Sequence, residues 1–365
     1  MNTAPQMNTA KWKLWATLVR LPNVFTVLAD VAASFLLVLG GSGWYTGRLD
    51  LDAFPDGGTS IWIFLGLGIV SGVCLYWAGM ILNDVFDLPR DRENQRQGPL
   101  VTGAISTGAA KTAGWGLLLL GIVPTLGIGF WSRGSIGWLP AIVATVLSVC
   151  IFLYDGPLKR TPIAPAVMGM CRVCSFLLGA SAANAAIAAG VGPDNLHDVQ
   201  IVALGPSIAP GITPVVLAFA IGMGTYIAGL TTFGRRESIG DRTIHLPIGL
   251  VAMTIGTMLL AWAPRFAGIG FEGDGPAWMT AWRVDPVLIF PAAILLMLAT
   301  TLLRARSATM NPSPAKIQGT IRAGLMAIIP IAAAITMLAV GAEIAVLVFA
   351  LMLPSRLLGQ HFRVT

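Results

Sequence analysis

The chain has 365 residues, of which 55% are hydrophobic and only 11% are charged, and its formal net charge is +6. Soluble domains carry about 25% charged residues, so this composition excludes an ordinary soluble protein and indicates a membrane protein. The positive charge does not indicate a nucleic acid as partner, because basic loops that face an anionic inner leaflet are ordinary in membrane proteins.

Apolar runs long enough to cross a hydrocarbon core of roughly 30 Å recur along the whole chain. The basic residues Lys11, Lys13 and Arg20 precede a full-length apolar run rather than the short one of a removable signal. We therefore predict that the first helix is kept. The connections are too short for a soluble domain, so residues 1–365 are predicted to form one all-α membrane domain of nine, possibly ten, helices. The predicted helices lie near residues 22–40, 61–82, 110–131, 137–154, 165–190, 211–233, 245–264, 285–303, 318–340 and 342–355.

The basic residues also predict the orientation, because they favour the cytoplasmic side of a membrane. With the N-terminus inside, most of the 23 Lys and Arg residues fall in inner connections, while Arg172 falls within a span. The sequence thus predicts a multi-pass protein of the cell inner (plasma) membrane whose N-terminus is cytoplasmic. On the same side we expect three loops that carry the motifs described below, 83–106, 154–165 and 231–244.

The four cysteines, Cys74, Cys150, Cys171 and Cys174, all lie in apolar segments, where a small buried hydrophobic side chain is the expected role. Cys171 and Cys174 form a single CxxC within a predicted helix, without the second pair of ligands that a structural zinc site needs. The sequence therefore predicts no zinc site here, and the three scattered histidines predict no His-rich site.

An acidic segment, "LNDVFDLPRDRENQRQGP", ends the second predicted helix. At about 100° per residue, Asn83, Asp84, Asp87 and Asp91 share one helix face, although Pro89 is expected to interrupt the helix before Asp91. Carboxylate and amide oxygens grouped in this way suit Mg²⁺, which binds few protein ligands and completes its octahedron with water and substrate phosphates. The segment therefore predicts a magnesium site.

A second interpretation of the acidic segment is purely structural. In a solvated loop the three aspartates would pair with the neighbouring Arg90, Arg92 and Arg96, as charge-rich loops commonly do. Against this, the acids begin within the helix end, and ionisable groups at membrane depth are costly enough to indicate a function.

Basic residues return to the same side of the membrane in "YDGPLKR". Lys159 and Arg160 follow the fourth predicted helix, so both are expected to face the acidic segment. A cation beside metal-binding carboxylates is what a diphosphate requires, because it neutralises the charge that grows as the diphosphate leaves. The alternative, which stays open for Arg160, is a basic anchor that only fixes the orientation.

Three motifs carry a family resemblance. "NDVFDLPRD" fits an NDxxDxxxD pattern, "GPLVTGAIS" resembles the segment that follows it, and "YDGPLKR" resembles a YxxxxKR element. Together they resemble the UbiA superfamily of intramembrane aromatic prenyltransferases, by motif from about residue 15 to 245. The resemblance implies a bundle of about nine transmembrane helices around a central cavity.

The resemblance also implies a reaction. A polyprenyl diphosphate enters the cavity from the bilayer, its head group is held by Mg²⁺ on two Asp-rich motifs, and it ionises to an allylic carbocation that an acceptor attacks. The partners implied are thus a polyprenyl diphosphate, an unknown acceptor and membrane lipids. By the same resemblance Lys159 clamps the diphosphate, Tyr154 lines the cavity, and the residues that hold Mg²⁺ and diphosphate are Asn83, Asp84, Asp87 and Asp91.

The second Asp-rich motif of the family is degenerate here. Its place reads "TYIAGLTTFGRRESIGD", where only Glu237 and Asp241 are acidic and Arg235 and Arg236 stand among the positions of the acids. The two arginines are predicted either to bind the diphosphate directly through their guanidinium groups or to be ordinary basic residues of an inner loop. The combination of an intact first motif and this segment resembles the divergent EboC-like branch of the superfamily.

Polar residues within predicted spans mark the expected cavity. Asp30 lies midway along the first span and Arg172 early in the fifth, and an unpaired charge in lipid is expensive, so both are expected to face the bundle interior. They either pair with each other or act on the substrates, with Arg172 reaching the diphosphate and Asp30 orienting or deprotonating the acceptor. Asn23, near the start of the first span, is a further candidate for the cavity.

Two rival functions follow from the degenerate second motif. The chain is either a prenyltransferase or a non-catalytic relative that binds or moves a polyprenyl-linked lipid. A transporter whose buried Asp30 and Arg172 lie on a substrate path is a third possibility. The residues leave the acceptor, the prenyl chain length and the oligomeric state open.

Overall fold

The structure, a computed structural model, describes residues 11–361 except for 48, 51, 53, 55, 133, 193–197, 199–202, 210, 236–242 and 269–276. It is almost entirely helical, and within the described residues the only β pairing is an isolated bridge between Ala209 and Ile212. The helices are α1 (Lys11–Leu18), α2 (Val24–Gly41), α3 (Thr59–Glu93), α4 (Thr107–Leu120), α5 (Val123–Trp131), α6 (Leu139–Asp155), α7 (Ala164–Val191), α8 (Pro214–Gly234), α9 (His245–Trp262), α10 (Ala277–Thr280), α11 (Ile289–Met310), α12 (Pro314–Met326), α13 (Ile328–Val340), α14 (Ala342–Ala350) and α15 (Met352–His361).

Ten helical segments in the described part of the chain are long and apolar enough to cross a membrane. This confirms the predicted all-α bundle and gives the larger of the two expected helix counts. Three of the segments combine two consecutive helices, namely α4 with α5, α12 with α13, and α14 with α15. Large apolar side chains cover the outside of the bundle, and Phe130, Leu296 and Leu347 are 80%, 77% and 68% exposed. Such an apolar exterior fits lipid rather than water, so the chain is a multi-pass membrane protein.

Helices α2 and α7 form the centre of the bundle. They pack against each other, α2 also contacts α3 and α13, and α7 also contacts α6 and α8. Small residues allow this close approach, as is usual between helices in lipid. At Gly179, on α7, an added Cβ would lie 2.1 Å from the backbone oxygen of Val31 on α2.

Replacing Gly179 by alanine is therefore expected to destabilise the bundle by about 1–3 kcal/mol, the usual cost of overpacking. The backbone atoms of Val31 have no freedom to rotate away, so the two helices must separate. The measurement is thermal unfolding of the purified variant in one detergent. Gly66→Ala is the matched control, because a Cβ on Gly66 of α3 meets nothing within 4 Å. Equal stability of the two variants would contradict the close α2–α7 contact.

The acidic segment lies on helix α3, whereas the sequence analysis placed it in a loop over residues 83–106. Residues 83–93 form the last turns of α3, and the helix continues through Pro89 to Glu93. The expected interruption before Asp91 is therefore absent. A proline in the last turns leaves a backbone carbonyl without its N–H partner, and near a helix end that carbonyl lies close to the polar boundary, where it can be solvated.

Candidate functional site

One end of the bundle gathers the motif residues from α3, α6 and the connection after α6. Lys159 Nζ lies 2.6 Å from Asp87 Oδ2, and both side chains are about three-quarters buried. The predicted meeting of the basic and acidic segments is thus present in the structure. Arg160 lines the same pocket as this pair but is itself exposed.

Asp84 pairs with a basic residue that the sequence analysis used only to predict the orientation of the chain in the membrane. Arg20 Nη2 lies 3.5 Å from Asp84 Oδ1. Arg20 precedes α2 with a left-handed backbone (φ 48°), and the Tyr76 hydroxyl donates to its carbonyl oxygen at 3.3 Å. A positive φ at a residue other than glycine is uncommon, and the sequence carries no signal for it.

The structural interpretation of the acidic segment holds for one residue. Asp91 Oδ1 lies 3.4 Å from Arg96 Nη1, the local pairing expected of a charged loop. Asp84 and Asp87 instead pair with residues far away in the sequence, Arg20 and Lys159. Asp84 and Asp87, the two inner aspartates, therefore belong to the tertiary site, while the ion pair of Asp91 is local.

Asn83 contacts a carboxylate that the sequence interpretation overlooked. Its Nδ2 donates to Asp155 Oδ1 at 2.9 Å, and Asp155, the last residue of α6, is only 5% exposed. Reading "YDGPLKR" as YxxxxKR treats Asp155 as a variable position. The available signal was an aspartate at the end of a predicted span, where burial of a charge is costly.

Two pockets meet at Tyr154. The apolar cavity has a volume of about 300 Å³, lies between the helices and is lined mainly by aliphatic side chains. Its polar lining residues, called here its polar edge, are Arg20, Asn23, Thr26, Tyr76, Asn83, Tyr154, Asp155, Arg172, Ser175 and Thr231. The polar pocket, of about 500 Å³, is lined by Asp87, Arg90, Tyr154, Lys159, Arg160, Pro162, Arg235 and His245. Because Tyr154 lines both, the two pockets adjoin.

Arg235 ties the end of α8 to the connection that carries Lys159. Its Nη2 donates to the Thr161 carbonyl oxygen at 2.5 Å, and its Nη1 approaches that of Pro162 at 3.4 Å. Arg235 thus lines the polar pocket and also holds one of its walls. Arg236, Glu237 and Asp241, the other charged residues of this predicted segment, lie outside the described residues.

Asp30 and Arg172 form a buried ion pair at the wall of the apolar cavity. Arg172 Nε lies 3.0 Å from Asp30 Oδ2, and their side chains are 11% and 0% exposed. The contact has the distance of an ion pair without the angle of a hydrogen bond. A second nitrogen, Arg172 Nη2, donates to the Thr26 carbonyl oxygen at 3.0 Å. The pairing expected between these two residues is present, and Arg172 also lines the cavity.

The donor chemistry of the site suits a hard divalent cation. Among the described residues, no three His, Cys, Asp or Glu side chains stand together as a metal site made by protein alone. Mg²⁺ does not require one, because it is commonly held by one or two carboxylates and by substrate phosphates. The oxygens of Asn83, Asp84 and Asp87, all on α3, fit this requirement. The cysteines are free thiols, and Cys171 lines the apolar cavity.

Two curated proteins resemble part of this chain in sequence. Over 85 residues, 23% of this chain and 27% of the relative, the sequence is 34% identical to digeranylgeranylglyceryl phosphate synthase of Metallosphaera sedula. The enzyme of the same name from Methanobrevibacter smithii is 31% identical over 87 residues, 24% of this chain and 29% of the relative. The chain thus spans less than a third of the length of these curated relatives.

Solved structures match over most of the chain. A structure of digeranylgeranylglyceryl phosphate synthase in membranes has a TM-score of 0.53 at 19% identity and covers 92% of this chain and 99% of that one. The apo UbiA homologue of Aeropyrum pernix K1 has a TM-score of 0.52 at 17% identity, with coverages of 86% and 96%. The Archaeoglobus fulgidus UbiA homologue bound to GPP and Mg²⁺ has a TM-score of 0.51 at 14% identity, with coverages of 89% and 99%.

At these identities the matches show a common fold. The family itself is given by the sequence, since the model of the UbiA prenyltransferase family matches residues 52–313, well over half of the chain. With the helical bundle and the paired motif residues described above, the chain belongs to the UbiA prenyltransferase family.

Proposed function

We propose that the protein transfers a prenyl group from a polyprenyl diphosphate to an acceptor within the membrane. The observation that carries the proposal is the junction of a cation-rich polar pocket with an apolar cavity at Tyr154. A polyprenyl diphosphate has the same division, with a charged head and a hydrocarbon chain. In this proposal the motif residues face the cytoplasm of a cell inner membrane.

The polar pocket is suited to a leaving diphosphate. Lys159, Arg160, Arg90 and Arg235 line it, and Asp87 is the one acidic side chain among its lining residues in the described chain. In the proposed step the allylic carbon–oxygen bond breaks and its electron pair leaves with the diphosphate. Fixed cations stabilise the negative charge that develops there. The acceptor then forms a bond to the allylic carbon and loses a proton.

In this proposal a divalent cation binds at the acidic segment of α3. The residues that would hold Mg²⁺ are Asp84 and Asp87, with Asn83 and Asp91 on the same helix. When bound there, Mg²⁺ would supply further neutralisation of the diphosphate oxygens. In support, a UbiA homologue of the same fold has been solved with GPP and Mg²⁺. Arg20 and Lys159 meanwhile hold the two inner aspartates in place.

The apolar cavity is suited to the prenyl chain. It is buried between α2, α3, α6, α7, α8 and α12, and its volume of about 300 Å³ lies at the lower end of ordinary ligand pockets. For the acceptor, the names of the relatives make prenylated glyceryl phosphates the first class to test. The EboC-like assignment stays a prediction.

The non-catalytic alternative rests on one observation. The described residues of α8 contribute Ile227, Leu230 and Thr231 to the cavity and no carboxylate. A relative that lacks its second acidic motif can bind a prenyl lipid without ionising it. A catalytic assay separates the two functions.

The test is Mg²⁺-dependent release of diphosphate from geranylgeranyl and farnesyl diphosphates by purified protein, with a total lipid extract as the source of acceptor. We expect Asp87→Asn to lower the rate by about 10²–10³-fold, the usual cost of removing one group that stabilises developing charge. Asp52→Asn is the matched control, because this carboxylate is exposed in the connection before α3. Binding of the diphosphates without any release would support the lipid-binding alternative instead.

A further inference from the structure

Asp155 is a buried carboxylate that the mechanism above does not use. It ends α6, is 5% exposed and lines the apolar cavity beside Asn83. One of its oxygens, Oδ1, accepts a hydrogen bond from Asn83 Nδ2 at 2.9 Å. The other, Oδ2, has no hydrogen-bond partner among the described residues, and the residue lines the apolar cavity.

The neighbouring cations form their ion pairs with other carboxylates. Lys159 pairs with Asp87 and Arg20 with Asp84, so both act on Asp155 only at longer range, and no Lys, Arg or His of the described chain forms an ion pair with it. Transfer of a charged carboxylate out of water is strongly unfavourable unless a partner compensates it. A carboxylate that is almost fully buried, lines a cavity and has no ion-pair partner is therefore a candidate ligand for a cation.

Asp155 could also replace a carboxylate of the degenerate second acidic motif. In the described part of α8, the residue that reaches the polar edge of the cavity is Thr231, which carries no charge. Asp155 stands on a different helix, α6, whose last residue contacts α3 through Asn83. Asp87 lies one helical turn beyond Asn83, near enough to Asp155 to interact electrostatically.

We propose that Asp155 is the second-helix carboxylate of the diphosphate site and, opposite Asp87, holds a divalent cation bound with diphosphate. The inference rests on the proposed function, because it assigns a further ligand to the same site. It places the second acidic group at the end of α6, whereas the family resemblance places it after the sixth span, at the end of α8 and in the following segment.

The experiment measures binding of Mn²⁺ together with inorganic diphosphate to the detergent-solubilised full chain, by the electron paramagnetic resonance signal of free Mn²⁺. We expect Asp155→Asn to weaken this binding by about 10- to 100-fold. The substituted amide keeps an oxygen that can accept the Asn83 hydrogen bond, so the variant is expected to fold. Asp155→Glu keeps the charge and is expected to restore most of the affinity, and Asp52→Asn is the unaffected control.

Two results would overturn the inference. One is wild-type affinity in Asp155→Asn while Asp87→Asn is weakened, which leaves the proposed function intact. The other is an equal loss in Asp155→Asn and Asp155→Glu, because the carboxylate charge would then not decide the binding. If Asp87→Asn also binds as the wild type does, the α3 site itself is wrong, and the proposed function fails with it.

Discussion

Replacing Lys159 by glutamine is expected to lower kcat for diphosphate release by about 10²–10³-fold. Lys159 lines the polar pocket and lies 2.6 Å from Asp87, so in the proposed reaction it would both neutralise the leaving group and position that carboxylate. The measurement is steady-state release of diphosphate at saturating Mg²⁺. Lys111→Gln is the control, because Lys111 is exposed on α4. A kcat within twofold of the wild type would contradict the assignment.

The double variant Lys159→Gln/Asp87→Asn refines the same prediction. Groups that act as a unit show losses that do not add, so the double variant is expected to be little slower than the worse single variant. Losses that multiply would show that Lys159 and Asp87 act independently, which the 2.6 Å contact does not favour.

Replacing Arg172 by methionine is expected to destabilise the fold by about 3–5 kcal/mol. The change leaves the carboxylate of Asp30, which has no exposed surface, without a compensating charge. The double variant Asp30→Leu/Arg172→Met removes both charges and is expected to recover that loss, because apolar replacements of a buried pair are often neutral or stabilising. The measurement is unfolding in detergent for both variants, and equal instability of the two would contradict the pairing.

Activity of the double variant separates the two roles that the sequence left open for this pair. If the pair serves only the fold, the stable double variant releases diphosphate at the wild-type rate. If Arg172, which lines the apolar cavity, also holds a substrate group, the double variant is stable but slow. The structure shows the ion pair, and this comparison decides whether it has a second role.

The helical bundle was predictable because its signals are local and strong. Apolar runs such as 61–82 and 165–190 leave little choice of conformation in a bilayer, where every backbone group must be satisfied within a helix. The pairing of Asp30 with Arg172 was one of the two roles that the sequence left open, and the cost of single charges in lipid suggested it. The meeting of Lys159 with Asp87 followed from two motifs placed on the same side of the membrane.

The rest of the site depends on contacts that no local pattern records. Arg20 reaches Asp84 because its backbone is left-handed and Tyr76 holds its carbonyl oxygen. Asp155 meets Asn83 because α6 ends beside α3, which depends on how helices pack. Arg235 was predicted either to bind the diphosphate or to be an ordinary basic residue of an inner loop, and its hydrogen bonds to two backbone carbonyls while lining the polar pocket were not foreseen.

The central claim is that one amphipathic substrate spans the polar pocket and the apolar cavity, and photolabelling tests it most directly. The probe is a prenyl diphosphate with a benzophenone at the end of its chain, followed by mapping of the labelled peptides. We expect label on cavity-lining residues such as Ile151, Leu230 and Leu325, lost when unlabelled geranylgeranyl diphosphate competes. Label confined to lipid-facing residues such as Leu296 and Val346, with no effect of the competitor, would contradict the account.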